Sequence, residues 1–160
     1  MATEKLEFKL ELYATMWDQP PHAEILVNDK SYFTSDITGT EDKPTVVKFE
    51  HELTEGEEYN LIINRSGKSK GQTVINEKGD ILKDQLLYIK SLEIDEIDIG
   101  ALVYEGVYTP EYPEPWATQQ REAGKELQES FKNVTRMGHN GKWVFKFESP
   151  FYMWLLENLY

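Results

Sequence analysis

Residues Leu6–Leu12 read LEFKLEL, a stretch in which every second side chain is large and apolar. The apolar positions are Leu6, Phe8, Leu10 and Leu12. The positions between them carry charge and are Glu7, Lys9 and Glu11. Because successive side chains of an extended strand point to opposite faces, this period of two predicts a β-strand with one face in a core.

The same alternation returns in short segments separated by polar turns. The segments are AEILVNDKSYF (23–33), TVVKFEHEL (45–53), YNLIIN (59–64), ALVYEGVY (101–108) and KWVFKFES (142–149). The first of them contains Asn28 and Asp29, residues that tolerate the left-handed backbone of a tight hairpin. The sequence shows no alternation of strands with helices. It therefore predicts an all-β protein, an antiparallel β-sandwich of the jelly-roll-like type.

The chain length of 160 residues suits one domain. We predict a sandwich core over residues 1–108. Residues 109–160 are predicted to form a C-terminal extension packed on or beside the same domain. The extension contains a proline-rich loop, one helix within ATQQREAGKELQESFKN (117–133), a strand and an apolar tail.

Composition narrows the class of partner. The formal net charge is −12, from 17 Lys and Arg against 29 Asp and Glu. Nucleic-acid binding depends on basic side chains that displace counterions from phosphates, so we expect no nucleic-acid partner. The acidic charge equally disfavours an anionic membrane surface, and no apolar stretch approaches the roughly 20 residues of a membrane span. Calcium, neutral glycans and basic proteins all tolerate this charge.

The chemistry that the sequence lacks also matters. The chain has no cysteine, which excludes disulfides and thiolate metal sites and fits a reducing compartment. The three histidines, His22, His51 and His139, show no HxxxH or HExxH spacing. SGKSKG (66–71) resembles a phosphate loop, but Ile62 stands where its first glycine should be. A glycosidase needs two carboxylates roughly 5–10 Å apart, and the sequence singles out no such pair. We therefore predict that the protein is not an enzyme.

A candidate calcium site lies where a polar loop meets a strand. The loop NEKGDILKD (76–84) contains four oxygen-bearing side chains within nine residues, and the strand LLYIKSLEI follows it. These side chains are Asn76, Glu77, Asp80 and Asp84. Calcium takes six to eight oxygen ligands, but the spacing does not follow an EF-hand loop. From the residues alone, solvated loop charges remain the favoured alternative.

Three segments in the first hundred residues resemble the small calcium-dependent xylan-binding carbohydrate-binding modules. The matching segments are 23–29, 59–66 and DQLLYIKSLEID (84–95), within a resemblance that covers about residues 22–98. The resemblance implies a carbohydrate-binding-module-like core, with Asp84 as a calcium ligand and the ion chelating vicinal sugar hydroxyls. Asp80 and Asn64 are the neighbours that it places in reach of the same ion.

The chain as a whole is similar to short proteins encoded by T4-like tailed phages of marine bacteria. That resemblance carries no activity with it. It implies a virion or infection context, in which such sandwiches serve as decoration, neck or fibre modules. Since MATEKLEFKLELYATMW (1–17) has no hydrophobic run typical of a secretion signal, we expect the protein in the virion or the host cytoplasm.

Aromatic residues make up 12% of the chain, and they can be either core or ligand platform. Sugar binders stack pyranose rings on exposed Trp or Tyr. The alternation around Trp143 predicts a core position. Trp17 lies in a proline-containing loop where exposure is favoured, and it is a carbohydrate-binding candidate together with Tyr32 and Trp116.

The tail FYMWLLENLY (151–160) concentrates apolar side chains at the end of an acidic chain. If it is helical, one face can pack on the sandwich through Trp154 and Leu155. The face that carries Tyr152, Leu156 and Tyr160 is then a candidate interface with a neighbour, either a phage structural protein or another copy in a homo-oligomer.

Two functions follow from these observations. The first is a non-catalytic module that binds carbohydrate in a calcium-dependent way in a phage context. The alternative is a structural or decoration protein of a phage virion, in the head, neck or fibre, whose sandwich serves protein–protein assembly.

Overall fold

The computed structural model describes residues 2–15, 19–68, 74–75, 77–78 and 81–159. Within these ranges the chain forms thirteen strands and two short α-helices. The strands are β1 (Thr3–Thr15), β2 (His22–Val27), β3 (Lys30–Asp36), β4 (Thr45–Thr54), β5 (Glu58–Ser66), β6 (Val74–Ile75), β7 (Ile81–Lys83), β8 (Leu86–Ile94), β9 (Ile97–Asp98), β10 (Val107–Pro110), β11 (Phe131–Lys132), β12 (Arg136–Met137) and β13 (Gly141–Glu148). The helices are α1 (Trp116–Glu122) and α2 (Phe151–Leu159), and a 3-10 helix spans Gly100–Glu105.

The strands form two large antiparallel sheets, which confirms the predicted β-sandwich. The first sheet has the order β12-β8-β1-β4, with β9 paired to β8. The second sheet has the order β11-β10-β13-β5-β2-β3. A separate two-stranded ladder joins β6 to β7.

The strand β1 shows why the sheets face each other. Its four alternating apolar side chains, Leu6, Phe8, Leu10 and Leu12, are all buried. Phe8 contacts Phe147 of β13 in the opposite sheet, with ring centroids 5.8 Å apart. Since β13 buries its own alternating residues, the two inner faces form one continuous core.

The C-terminal third of the chain is part of this core. The strand β13 lies inside the second sheet, between β10 and β5, and pairs with β5 from Gly141↔Arg65 to Glu148↔Glu58. The predicted boundary at residue 108 falls within β10. Residues after this boundary therefore complete the sandwich.

The helix predicted over 117–133 is shorter in the structure. The helix α1 has seven residues and ends at Glu122. Two residues later, Gly124 adopts a positive φ of 84°, a backbone conformation that ends a helix. The C-terminal helix α2 forms as the apolar tail predicted. In the described part of the chain, no helix is long and apolar enough to cross a membrane.

Candidate functional site

One edge of the sandwich gathers polar side chains from three separate parts of the chain. It lies where β5 ends, where β8 begins and where β12 is connected to β13. We call it the loop edge and define it by Arg65, Lys68, Asp84, Gln85, His139 and Asn140.

The carboxylate of Asp84 is held by an ion pair at the centre of the loop edge. Its Oδ1 lies 2.8 Å from Nζ of Lys68 and accepts a hydrogen bond from the backbone N–H of Gln85 at 2.8 Å. Lys68 Nζ also donates to the backbone carbonyl of Gly138 at 2.5 Å. The Lys68 and Asp84 side chains are only 12% and 14% exposed. Because water screens this pair poorly, it is held more firmly than an exposed ion pair.

Arg65 lies on the core face at the end of β5 and is only 1% exposed. Its two terminal nitrogens donate to Asn140 Oδ1 at 2.8 Å and to the carbonyl of Gln85 at 2.6 Å. Burial lowers the pKa of Arg65 to about 10, so the guanidinium remains charged at neutral pH. Among the described residues, Nε of Arg65 and Oε1 of Gln85 are buried without a hydrogen-bond partner. The loop edge thus holds two cationic side chains, Arg65 and Lys68, around one carboxylate.

His139 connects this polar network to an aromatic surface. Its ring lies 5.2 Å from that of Tyr112 and 5.7 Å from that of Trp116, measured between centroids. Burial lowers the pKa of His139, the Lys68 ammonium lowers it further, and the Asp84 carboxylate opposes the shift. The imidazole is therefore neutral at neutral pH. Its backbone is fixed by Tyr108, whose hydroxyl donates to the His139 carbonyl at 2.5 Å and accepts from its N–H at 2.9 Å.

Tyr112, Trp116 and His139 form what we call the aromatic patch. The side chain of Trp116 is 39% exposed at the first residue of α1, and its ring lies 6.0 Å from that of Tyr112. The next residue, Ala117, is buried and anchors the helix to the sandwich. A depression of about 350 Å³ borders the patch at Tyr112 and is also lined by Ala117 and Arg121. The patch thus joins apolar ring faces to the polar groups of the loop edge.

The described residues do not fit a calcium site at Asp84. The ammonium of Lys68 already binds its Oδ1. Asn64 lies on the outer face of β5, whereas Arg65, which reaches the loop edge, lies on the inner face. Asp80 lies outside the described residues. Within the described ranges, no group of three or more His, Asp or Glu residues could hold a metal ion.

Tyr32, another of the carbohydrate-binding candidates, is not part of the aromatic patch. The ring of Tyr32 stacks on Phe49 at 4.5 Å, and Lys30 Nζ lies 5.1 Å from its centroid. Its hydroxyl forms a hydrogen bond with Nδ1 of His51. These contacts join the edge strands β3 and β4 of the two sheets. Trp17 lies outside the described residues.

The candidate interface residues lie on α2. Phe151 and Leu155 are buried, and Trp154 is half-buried against Phe145, with centroids 5.7 Å apart. Tyr152 and Leu156 are 47% and 59% exposed. The helix therefore has one face on the sandwich and one in solvent, as its sequence predicts. Tyr160 lies outside the described residues.

A second histidine constellation occurs on the outer face of the second sheet. His22 Nδ1 lies 3.0 Å from Asp36 Oδ1, and its Nε2 lies 2.9 Å from Thr34 Oγ1. An imidazole between a carboxylate and a hydroxyl is the order of groups found in nucleophilic enzymes. All three side chains lie on an open strand surface, where water competes with a substrate. We interpret them as cross-strand contacts that fasten β3 to β2.

Sequence reasoning missed Lys68, Tyr112, His139 and the buried Arg65. Lys68 belongs to the SGKSKG segment, whose one recognisable pattern is a phosphate loop that lacks its first glycine. Lys68 and Asp84 are 16 positions apart in the sequence. No local spacing pairs two such residues. A charged Arg65 at an inward position of an alternating strand is a signal that could have indicated a polar cluster at this end of β5.

No protein-family model and no curated protein matches the chain. Among solved structures, the chain is similar to vCBM60 in complex with galactobiose, with a TM-score of 0.48 at 9% identity over 87% of this chain and 96% of that one. It is also similar to the selenomethionine form of vCBM60, from work linking two families of calcium-dependent carbohydrate-binding modules by circular permutation. That match has a TM-score of 0.47 at 8% identity and covers 88% of this chain and 89% of that one.

Proposed function

We propose that the protein is a non-catalytic module that binds a neutral glycan at the aromatic patch. One observation carries this proposal: the exposed ring of Trp116 and the half-buried ring of Tyr112 lie against neutral His139, which in turn interacts with the charges of Lys68 and Asp84. Pyranose rings present apolar C–H faces and polar hydroxyls together, and a ligand site combines apolar area with a few fixed polar groups. The net charge of −12 supports a neutral glycan over an acidic one.

The test is the affinity for a panel of soluble neutral oligosaccharides, including xylo- and galacto-oligosaccharides, measured by isothermal titration calorimetry. Trp116→Ala removes the exposed ring and is expected to cost about 1.4 kcal/mol or more, which is a tenfold or larger loss of affinity. Tyr104→Ala is the matched control, because Tyr104 is also an exposed aromatic residue but lies before the start of β10. The loop edge lies at the other end of that strand, where Pro110 pairs with Gly141. Equal affinities of the wild type and Trp116→Ala would contradict the proposal.

Calcium dependence, which the resemblance of residues 22–98 implies, is a separate question from glycan binding. The described contacts of Asp84 weigh against it, because a calcium ion would have to displace Lys68. The titrations are therefore run in parallel with calcium and with chelator.

The exposed face of α2 favours assembly as a second candidate function. Tyr152, Met153 and Leu156 are large, apolar and exposed on consecutive turns of one helix. A virion structural or decoration protein, binding a phage protein or a second copy of itself, would use such a face. This candidate places the protein in the virion, or in the host cytoplasm before assembly.

The double variant Tyr152→Ser/Leu156→Ser tests the assembly role by light scattering. We expect an assembled species to dissociate without loss of the fold, since both side chains lie outside the core. Tyr152→Phe is the control for the hydrogen bond that the Tyr152 hydroxyl donates to Asp95 at 2.5 Å. A wild-type protein that stays monomeric at every concentration would count against assembly through copies of itself.

A further inference from the structure

The ammonium of Lys68 lies among oxygen atoms of the kind that bind metal ions. Its two described partners are a carboxylate oxygen, Asp84 Oδ1 at 2.8 Å, and a backbone carbonyl oxygen, Gly138 O at 2.5 Å. Carboxylates and backbone carbonyls are common ligands of calcium in proteins. The lysine ammonium therefore occupies the two oxygen atoms that a metal ion would need as ligands.

The position of Lys68 is built into the fold. Asn140 Oδ1 accepts from the Lys68 backbone N–H at 2.9 Å, and Asn140 Nδ2 donates to the Lys68 carbonyl at 3.0 Å. The same Oδ1 accepts from the buried guanidinium of Arg65. Both ends of the Lys68 residue are thus tied, its backbone to Asn140 and its ammonium to Asp84. The held backbone keeps the ammonium within reach of Asp84 Oδ1 and of the Gly138 carbonyl.

We propose that Lys68 is the resident cation of the loop edge, and that the protein binds no divalent metal ion at Asp84. A calcium ion there would have to displace an ammonium whose side chain is only 12% exposed, and it would be repelled by the second positive charge, that of Arg65, which interacts with the same carboxylate. Displacement would leave the ammonium without its carboxylate in a poorly solvated position. A further consequence, which rests on the proposed function, is that glycan binding at the aromatic patch is independent of calcium.

The proposal is tested by thermal unfolding of four proteins without glycan, each in millimolar calcium and in chelator. The proteins are the wild type, Lys68→Met, Asp84→Asn and the double variant. We expect the wild-type Tm to be the same in both conditions, since a ligand that binds the native state would raise it. Each single variant is expected to lower Tm by several degrees. The double variant is expected to lose clearly less Tm than the sum of the two single losses, because the two residues interact directly.

The exposed pair Lys5–Glu50 is the matched control. Its nitrogen and oxygen lie 3.1 Å apart, but the side chains are 68% and 54% exposed. Lys5→Met and Glu50→Gln are expected to cause small and nearly additive changes in Tm. An additive result for the Lys68–Asp84 pair as well would overturn the proposal.

A calcium-induced rise in the wild-type Tm that Asp84→Asn abolishes would also overturn it, and this comparison needs no Lys68 variant. A rise that persists in Asp84→Asn comes from other carboxylates and agrees with the proposal. These measurements are made without glycan. A protein that fails to bind any oligosaccharide would therefore refute the proposed function while leaving the result for the resident cation clear.

Discussion

Deletion of residues 151–160 is expected to leave a chain that unfolds or aggregates near room temperature. The helix α2 contributes buried Phe151 and Leu155 and half-buried Trp154 to the core. Burying a large apolar side chain is worth roughly 1.5–3 kcal/mol, so three of them amount to about 5–9 kcal/mol. That is comparable to the whole stability of a typical domain, about 5–15 kcal/mol. Circular dichroism and light scattering on the purified truncated protein check this expectation.

A polar contact also attaches the helix to the first strand. The Glu4 carboxylate accepts hydrogen bonds from the backbone N–H of Phe151 at 3.0 Å and from Ser149 Oγ at 3.1 Å. Phe151→Ser and Met153→Ser form a matched pair on the same helix, because Phe151 is fully buried and Met153 is 60% exposed. Only Phe151→Ser should lower Tm sharply. A truncated protein with an unchanged melting curve would show that α2 does not belong to the core.

Gly106→Ala is the second substitution with a large expected effect, and its cause is purely steric. A Cβ atom at residue 106 would lie 2.3 Å from Cε2 of Trp143. The backbone of Gly106 has φ −63° and ψ 145°, which alanine adopts freely, so no backbone strain is involved. Trp143 is fully buried and stacks on Phe145 with centroids 6.0 Å apart, so the ring has nowhere to move. We expect a loss of about 3 kcal/mol in the free energy of unfolding.

Gly138→Ala serves as the control for this substitution. Its added Cβ would meet only the Leu86 side chain at 3.5 Å, an ordinary contact distance. We expect its free energy of unfolding to change by less than about 1 kcal/mol. Denaturant titrations of the two variants decide the matter. Equal losses would mean that a steric clash with Trp143 is not the cause of the destabilisation by Gly106→Ala.

The long strands were predictable because each carries its own signal. The strand predicted over 101–108 was wrong for most of its length, since Gly100–Glu105 form a 3-10 helix and β10 begins at Val107. The alternation from Leu6 to Leu12 fixes which face of β1 is buried, and the alternation around Trp143 does the same for β13. The two faces of α2 follow equally from its helical period, which puts Trp154 against the core and Leu156 in solvent. Such patterns are local, so one segment contains all the information needed.

Order in the sheets and the composition of the site depend instead on long-range contacts. Nothing in KWVFKFES indicates that β13 lies between β5 and β10, because an inner strand and an outer strand can show the same alternation. Likewise, Asp84 in its own segment looks like a free loop carboxylate. Its pairing with Lys68, and the approach of His139 to Trp116, arise only when three loops meet at one edge.

The most direct test of the glycan-binding account is a nuclear magnetic resonance titration of the 160-residue protein in chelator with the neutral oligosaccharide panel. We expect a member of the panel to shift the indole N–H signal of Trp116 and the backbone amide signals of Tyr112 and His139. The signals of α2 and of the His22 surface should stay in place. Shifts confined to those other surfaces, or no shifts with any oligosaccharide, would contradict the account.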